Sequence, residues 1–366
     1  MDERVFLYKV GEPITDWDLK HRLPIHFPVG PECKDTATVF RVNSTYMDVT
    51  DQPYLTRHLS AGAACTAVFG IGLMLWSFIF LLSLPDRPGV NLIPDYSICL
   101  LAILGFFYAL IRCNRDDVFS LKRRPIRFNR KGKKIFTIRR RRFFAKPGDG
   151  DITWEVPWSK ESIFCIHRGT GANKDIYHIR HYTVDDNGKV LRAFAIGREW
   201  DGHSELQGLL SQWNFWCAYM NDGPGALPPP PLFLSEKENM LESFLYCMYD
   251  FGYQASSAYR LVMMPLILLL TIQRVVVLWT CRDPVWPKEV EAVSKIEADD
   301  PYDEPRGNTP VGWAKTGLAR DRHTYPFDPK KAMPDWHGEP DAAYNAKLWS
   351  QDVPPATVTR QQRRTT

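Results

Sequence analysis

The chain has 366 residues, a formal net charge of +4, 24% charged residues and a mean hydropathy of −0.29. These values exclude a polytopic channel and fit a water-facing domain of ordinary size joined to a membrane unit. Eight cysteines are scattered without a C-x-x-C pair, and Cys65 and Cys99 lie in apolar runs, so they read as reduced thiols used as small apolar residues.

The start, MDERVFLYKVGEPITDWD, has no apolar core of a signal peptide, and none is expected. Residues 1–60 read as an N-terminal arm with Pro13, Pro24, Pro28 and Pro53 and one strand over 40–50. Ala61 to Leu84 then runs for twenty-four residues without a charge. As a helix it covers roughly 36 Å, against a hydrocarbon core of about 30 Å. The link PDRPGVNLIP, with proline at both ends, is a turn. Tyr96 to Ile111 is a second apolar run, and residues 61–113 together predict a transmembrane helical hairpin.

Basic residues set the orientation. The link carries Arg87 alone, whereas residues 112–131 carry Arg112, Arg115, Lys122, Arg123, Arg124, Arg127, Arg130 and Lys131. The positive-inside bias puts that side, the N-terminal arm included, in the cytoplasm.

From Phe119 to about Gly197 the pattern changes to period two, within a β-rich domain expected over 119–222. PIRFNRKGKKIFTIRR reads as strand, turn, strand, and ITWEVPW, SIFCIHR, KDIYHIRHYTV and KVLRAFAI are further strands, with DDNG (185–188) as a hairpin turn. Residues 204–221 then show an i, i+3, i+4, i+7 apolar series behind a Ser204/Gln207 capping box. The expected fold class is α+β: a small pleckstrin-homology-like barrel or sandwich closed by that helix. Residues 223–234, with Pro228 to Pro231, read as a stiff linker. Residues 235–296 read as helical, beginning at a Ser235/Glu238 capping box and containing a third apolar stretch at 261–279. Pro265, Gln273 and Arg274 leave that stretch open between a span and an interfacial or core helix. Residues 297–366 read as an extended polar tail with isolated Trp313, Trp336 and Trp349.

The basic run Lys122 to Lys146 holds thirteen Lys or Arg and no acid. Nucleic acid, anionic headgroups and a bare orientation signal all fit such a run; its position just after a span favours the membrane surface, and no nucleic-acid partner is expected. The candidate lipid- or anion-binding residues are Lys122, Arg123, Arg124, Lys133, Lys134, Arg139, Arg140, Arg141 and Arg142, of which at most two of the last four share a strand face. His178 and His181, three apart on a strand, point to opposite faces, while Cys165 and His167 share one without completing a tetrahedral metal set. No nucleophile elbow, Walker loop or zinc-helix motif is present, so no enzyme activity, metal or cofactor is expected. Tryptophans 154, 158, 213 and 216 read as core.

The apolar hairpin, IRFNRKGKKIF, VPW at Val156–Trp158, AYMNDGPGALP from Ala218 to Pro228 and DPVWPKEVEA from Asp283 to Ala292 carry a resemblance. Over roughly residues 50–300 the chain resembles an uncharacterised family of bacterial membrane-associated proteins encoded near type VI secretion effectors. The resemblance implies an inner-membrane immunity or effector-accessory protein whose partner is a toxin or its carrier. It assigns no functional residues. The alternative is a membrane-surface scaffold binding anionic lipid through the 122–146 run.

Overall fold

The computed structural model describes residues 11–55, 57–83, 93–114, 118, 120–139, 152–170, 175–201, 206–250, 256–307 and 309–321. Two units emerge: 1–55, 123–238 and 283–366 form the first, and 56–122 with 239–282 the second.

The first unit is built on two antiparallel sheets. Strands β1 (Arg22–Leu23), β7 (Ile163–Thr170), β8 (Asp175–Val184) and β9 (Val190–Asp201) form one, in the order β1-β7-β8-β9. The other contains β2 (Val39–Val42), β3 (Tyr46–Val49), β4 (Ile126–Asn129), β5 (Lys134–Arg139) and β6 (Ile152–Pro157), in sequence order. The sheets do not close into a barrel, which corrects that half of the expectation. Between the edge strands β6 and β9 run side-chain contacts: Arg192 Nη2 donates to the Glu155 carbonyl at 3.3 Å, and Trp154 and Phe194 pack at 5.4 Å.

Residues 1–60, read as an arm, supply β1 to one sheet and β2 and β3 to the other. The single strand expected at 40–50 is a hairpin, because Asn43 Oδ1 accepts from the Thr45 and Tyr46 amides at 2.9 and 2.8 Å and folds the chain back. The turn expected at Arg130–Lys134 forms over 130–133, with Lys134 already in β5; Asn129 Oδ1 accepts from Gly132 N at 2.7 Å and Lys133 takes φ +49°.

Helix α5 (Leu206–Asn221) shares its core with both sheets. Its periodicity predicts one apolar face, yet the helix is buried nearly all round, including Gln212 and Asn214. Residues 24–36 wrap its polar side: Asn214 accepts from Val29 N at 2.7 Å and donates to the Glu32 carbonyl at 2.7 Å, and Gln212 donates to Asp35 at 3.2 Å. Trp158, Trp213 and Trp216 sit in this core, with Trp154 against it, as their bulk predicts.

The remaining elements also pack. The proline-rich stretch is no free spacer: Leu227, Leu232, Phe233 and Leu234 are buried, and Leu234 N donates to the Val39 carbonyl at 2.8 Å. After α8 (Lys288–Val293), residue Glu304 exchanges backbone hydrogen bonds with Val42 at 2.8 and 2.9 Å, and Arg41 grips Asp303 through two bonds at 2.9–3.0 Å. The segment up to α9 (Trp313–Asp321) is therefore docked, covering the β2 edge. Trp336 and Trp349 lie outside the described residues.

The second unit contains α3 (Ala61–Ser83), α4 (Ile93–Asn114), α6 (Met240–Asp250) and α7 (Ser257–Thr280). Three of its helices are long and apolar enough to cross a membrane: 62–83, 93–112 and 257–280, with mean hydropathies of 2.2, 1.8 and 2.3. α3 and α4 lie against each other; a Cβ on Gly70 would meet the Phe106 ring, and Phe78 packs on Tyr96 at 5.6 Å. Helix α6 starts at Met240, later than the Ser235/Glu238 signal, because Asn239 Oδ1 takes the capping role by accepting from Glu242 N at 2.9 Å while Glu238 accepts from the Tyr54 hydroxyl. Ser204, the other predicted cap, lies outside the described residues.

Candidate binding site

Helix α1 (Asp16–Lys20), capped by Thr15 Oγ1, lays Asp18 onto the outer face of the β7–β8 pair. The register pairs His167 with His178, Cys165 with Arg180 and Ile163 with Tyr182, so these side chains share that face. Asp18, wholly buried, accepts from His167 Nδ1 at 2.9 Å and from the Tyr182 hydroxyl. Arg180 Nη1 donates to Tyr182 Oη at 3.1 Å, and its Nε donates to His178 Nε2 at 3.3 Å. Burial, then the charges of Arg180 and His167, hold His178 well below the usual imidazole range, so its Nε2 is an acceptor. Burial and the Asp18 charge push the Tyr182 phenol up, keeping its proton.

An Asp–His pair is the orienting half of a nucleophilic triad. Among the described residues no Ser, Thr or Cys hydrogen-bonds His167 Nε2, and Cys165, two positions along the strand, is fully buried. The network fixes α1 to the sheet. His181 points to the opposite face, between Phe164 and Phe194 at 5.0 and 5.4 Å, and burial pushes its pKa down to about 3. Opposite faces for His178 and His181 are what strand alternation predicts. Among the described residues, no group of three or more His, Cys, Asp or Glu is placed to hold a metal ion.

Beside this network opens a cavity of about 760 Å³, within the range of small-ligand and side-chain pockets. It lies between residues 13–19, the β6–β7 connection and the β8–β9 turn. Tyr182, Ser159 and Ser162 line its wall, Ile14, Leu19 and Ile163 supply apolar surface, and Glu161, Asp185, Asp186 and Lys189 complete the lining. The DDNG turn forms as predicted, with Asp185 Oδ1 accepting from Asn187 N and Lys189 N at 2.9 and 2.8 Å and Gly188 at φ +73°. Asp185 is thus committed to the turn, while Glu161 and Asp186 remain exposed. Three carboxylates against one ammonium suit a cationic or donor-rich guest. No sequence motif marks this place, because the three segments meet only through the fold.

Among the described residues, several of the predicted anion-binding side chains already have partners. Arg123 pairs with Glu236 at 2.8 Å and stacks over Phe40, and Lys134 pairs with Glu155 at 2.6 Å. Lys133 donates to the Met220 carbonyl at the end of α5; burial, then Arg130, lower its pKa. Lys122 and Arg124 are half-buried. Arg139 ends β5, and Arg140, Arg141 and Arg142 lie outside the described residues.

No curated protein and no solved structure matches the chain. Residues 100–298, more than half of its length, match a family of unknown function, and the chain is therefore a member of the DUF6708 family.

Proposed function

We propose that this chain is a membrane-anchored binding protein whose first unit lies on the cytoplasmic side of a bacterial inner membrane and holds a protein partner. The observation that carries this reading is the acid-rimmed cavity at the β8–β9 turn, beside the Asp18–His167 pair. Such a site suits a basic group. The resemblance to proteins encoded near type VI secretion effectors makes a toxin, or the carrier that loads it, the partner class. The pleckstrin-homology-like reading draws support from the order of two antiparallel sheets followed by a helix in their shared core. The orientation rests on the basic excess after the second span.

The experiment is co-purification of the detergent-solubilised full chain with each protein encoded beside it. Retention of a toxin or carrier by the native chain, and its loss on Glu161→Lys with Asp186→Lys, are expected. Retention of none of these neighbours contradicts the reading.

A second reading, a scaffold binding anionic lipid, is favoured by the position of Lys122, Arg123 and Arg124 a few residues beyond the end of α4. Since Arg123, Lys133 and Lys134 already have partners, Arg139 to Arg142 would carry most of that affinity, at about 1 kcal/mol each or less. Serines at all four should weaken vesicle association and flatten its salt dependence; unchanged association removes this reading.

A further inference from the structure

Strand β7 begins at Ile163, opposite Tyr182 of β8, whereas β8 continues through Thr183 and Val184. Those two residues have β9 on one side, Thr183 opposite Arg192 and Val184 opposite Val190. On the other side Ser162 is next in register with Thr183, but it turns away. Its amide donates to the Ser159 carbonyl at 3.0 Å, its carbonyl accepts from Arg22 Nη2 at 3.1 Å, and its hydroxyl donates to the Pro157 carbonyl. Among the described residues, no strand therefore pairs with β8 beyond Tyr182 on the β7 side. Thr183 and Val184 are only half-buried and line the cavity of about 760 Å³, so this short edge opens into it. A strand edge with unpaired N–H and C=O groups is a template for another extended chain.

The rest of the lining selects what such a chain carries. Ile14, Leu19 and Ile163 give the cavity an apolar wall, while Glu161 and Asp186 stand exposed at its rim. A lysine or arginine, with an aliphatic stem and a cationic head, matches both surfaces. The volume is that of a pocket enclosing a drug-sized ligand, so it admits a stretch of chain and not only one side-chain tip. We infer that the cavity binds an extended peptide segment of the partner, which adds to β8 at Thr183 and Val184 and brings a Lys or Arg to Glu161 and Asp186. Main-chain hydrogen bonds then supply affinity, and the acidic rim supplies selection. Strand alternation turns every second amide of the peptide toward β8 and leaves its neighbours facing away. This inference rests on the cavity being the binding site proposed above; it adds that the partner is read as a linear segment and not as a folded surface.

The test measures retention of the detergent-solubilised full chain on immobilised peptides of the form acetyl-X-X-O-X-X. X is an equimolar mixture of alanine, valine, serine and threonine, and O is lysine, arginine, norleucine or glutamate. Two further lysine sets carry N-methyl groups, one on the amide of O and the other on the amides of its two neighbours. The lysine or arginine set should retain about ten-fold more chain than the norleucine and glutamate sets, and Glu161→Lys with Asp186→Lys should remove the difference. One N-methyl set should lose retention by about ten-fold and the other should keep it, because only alternate amides face β8. Lysine and arginine sets that retain no more than norleucine overturn the inference, and so does equal retention by the two N-methyl sets. A chain that co-purifies with a neighbouring toxin or carrier yet shows no basic preference keeps the proposed function and loses the peptide site. The reverse result, a basic preference with no neighbour retained, keeps the peptide site and removes the partner class.

Discussion

Arg274 lies over Tyr246 at 3.9 Å from guanidinium carbon to ring centroid, between helices α6 and α7. A buried cation without its covering group is costly, whereas an apolar residue of similar shape is often tolerated in its place. Tyr246→Leu is therefore expected to destabilise the detergent-solubilised chain by about 2 kcal/mol or more, and Arg274→Met by less. The Tyr246→Leu/Arg274→Met pair should recover part of the loss. Additive effects in a thermal-unfolding double-mutant cycle would show that the two side chains are not coupled.

Gly197 and Gly188 offer a controlled comparison, having φ +72° and +73°. A Cβ at Gly197 falls inside the Trp216 indole, while one at Gly188 meets nothing within 4 Å. Gly188→Ala should cost about 1 kcal/mol, the backbone term alone. Gly197→Ala should cost roughly 1–3 kcal/mol more through overpacking of the core shared by α5 and both sheets. Equal losses in melting temperature would mean that Trp216 moves aside without penalty.

Much of this architecture was legible in the sequence where one residue type dictates local geometry. DDNG made its turn, the 126–139 alternation made a hairpin, and the uncharged Ala61–Leu84 run made a helix. What was illegible depended on distant chain. The outer face of α5 is apolar in context only because Val29, Glu32 and Asp35 satisfy Asn214 and Gln212. Val49 pairs with Ile126 across the whole stretch of chain that holds α3 and α4, so no local pattern reveals that residues 1–60 complete the sheets. The cavity likewise needs three remote segments.

Acid lability follows from the buried histidines. The folded pKa of His181 is about 3, and His178 is shifted the same way, both below the unfolded value of about 6.5. The unfolded chain then binds more protons in this window, so stability rises with pH from about 3 to 6.5 and is lost as pH falls below about 6.5. Each histidine contributes up to about 1.4 kcal/mol per pH unit there. The melting temperature should drop between pH 7.5 and pH 5, and His181→Phe should flatten the dependence. A native profile already flat across that range would contradict neutral burial.

Tyr182 joins Asp18 to Arg180, accepting from one and donating to the other. Tyr182→Phe removes both bonds and leaves a buried carboxylate and guanidinium short of a partner each, at a cost of about 1–3 kcal/mol. Chemical denaturation of the solubilised chain measures it, and a change under about 0.5 kcal/mol would show that the phenol is dispensable.

The one-sided placement of the sheet unit is tested most directly by accessibility before and after α7. Single cysteines at Asn187, on the β8–β9 turn, and at Lys295, beyond α8, are both exposed in the folded unit. An impermeant thiol reagent should label both in inverted vesicles and neither in intact cells, since both positions belong to one unit. Labelling of Asn187→Cys and Lys295→Cys from opposite sides of the membrane would contradict the account.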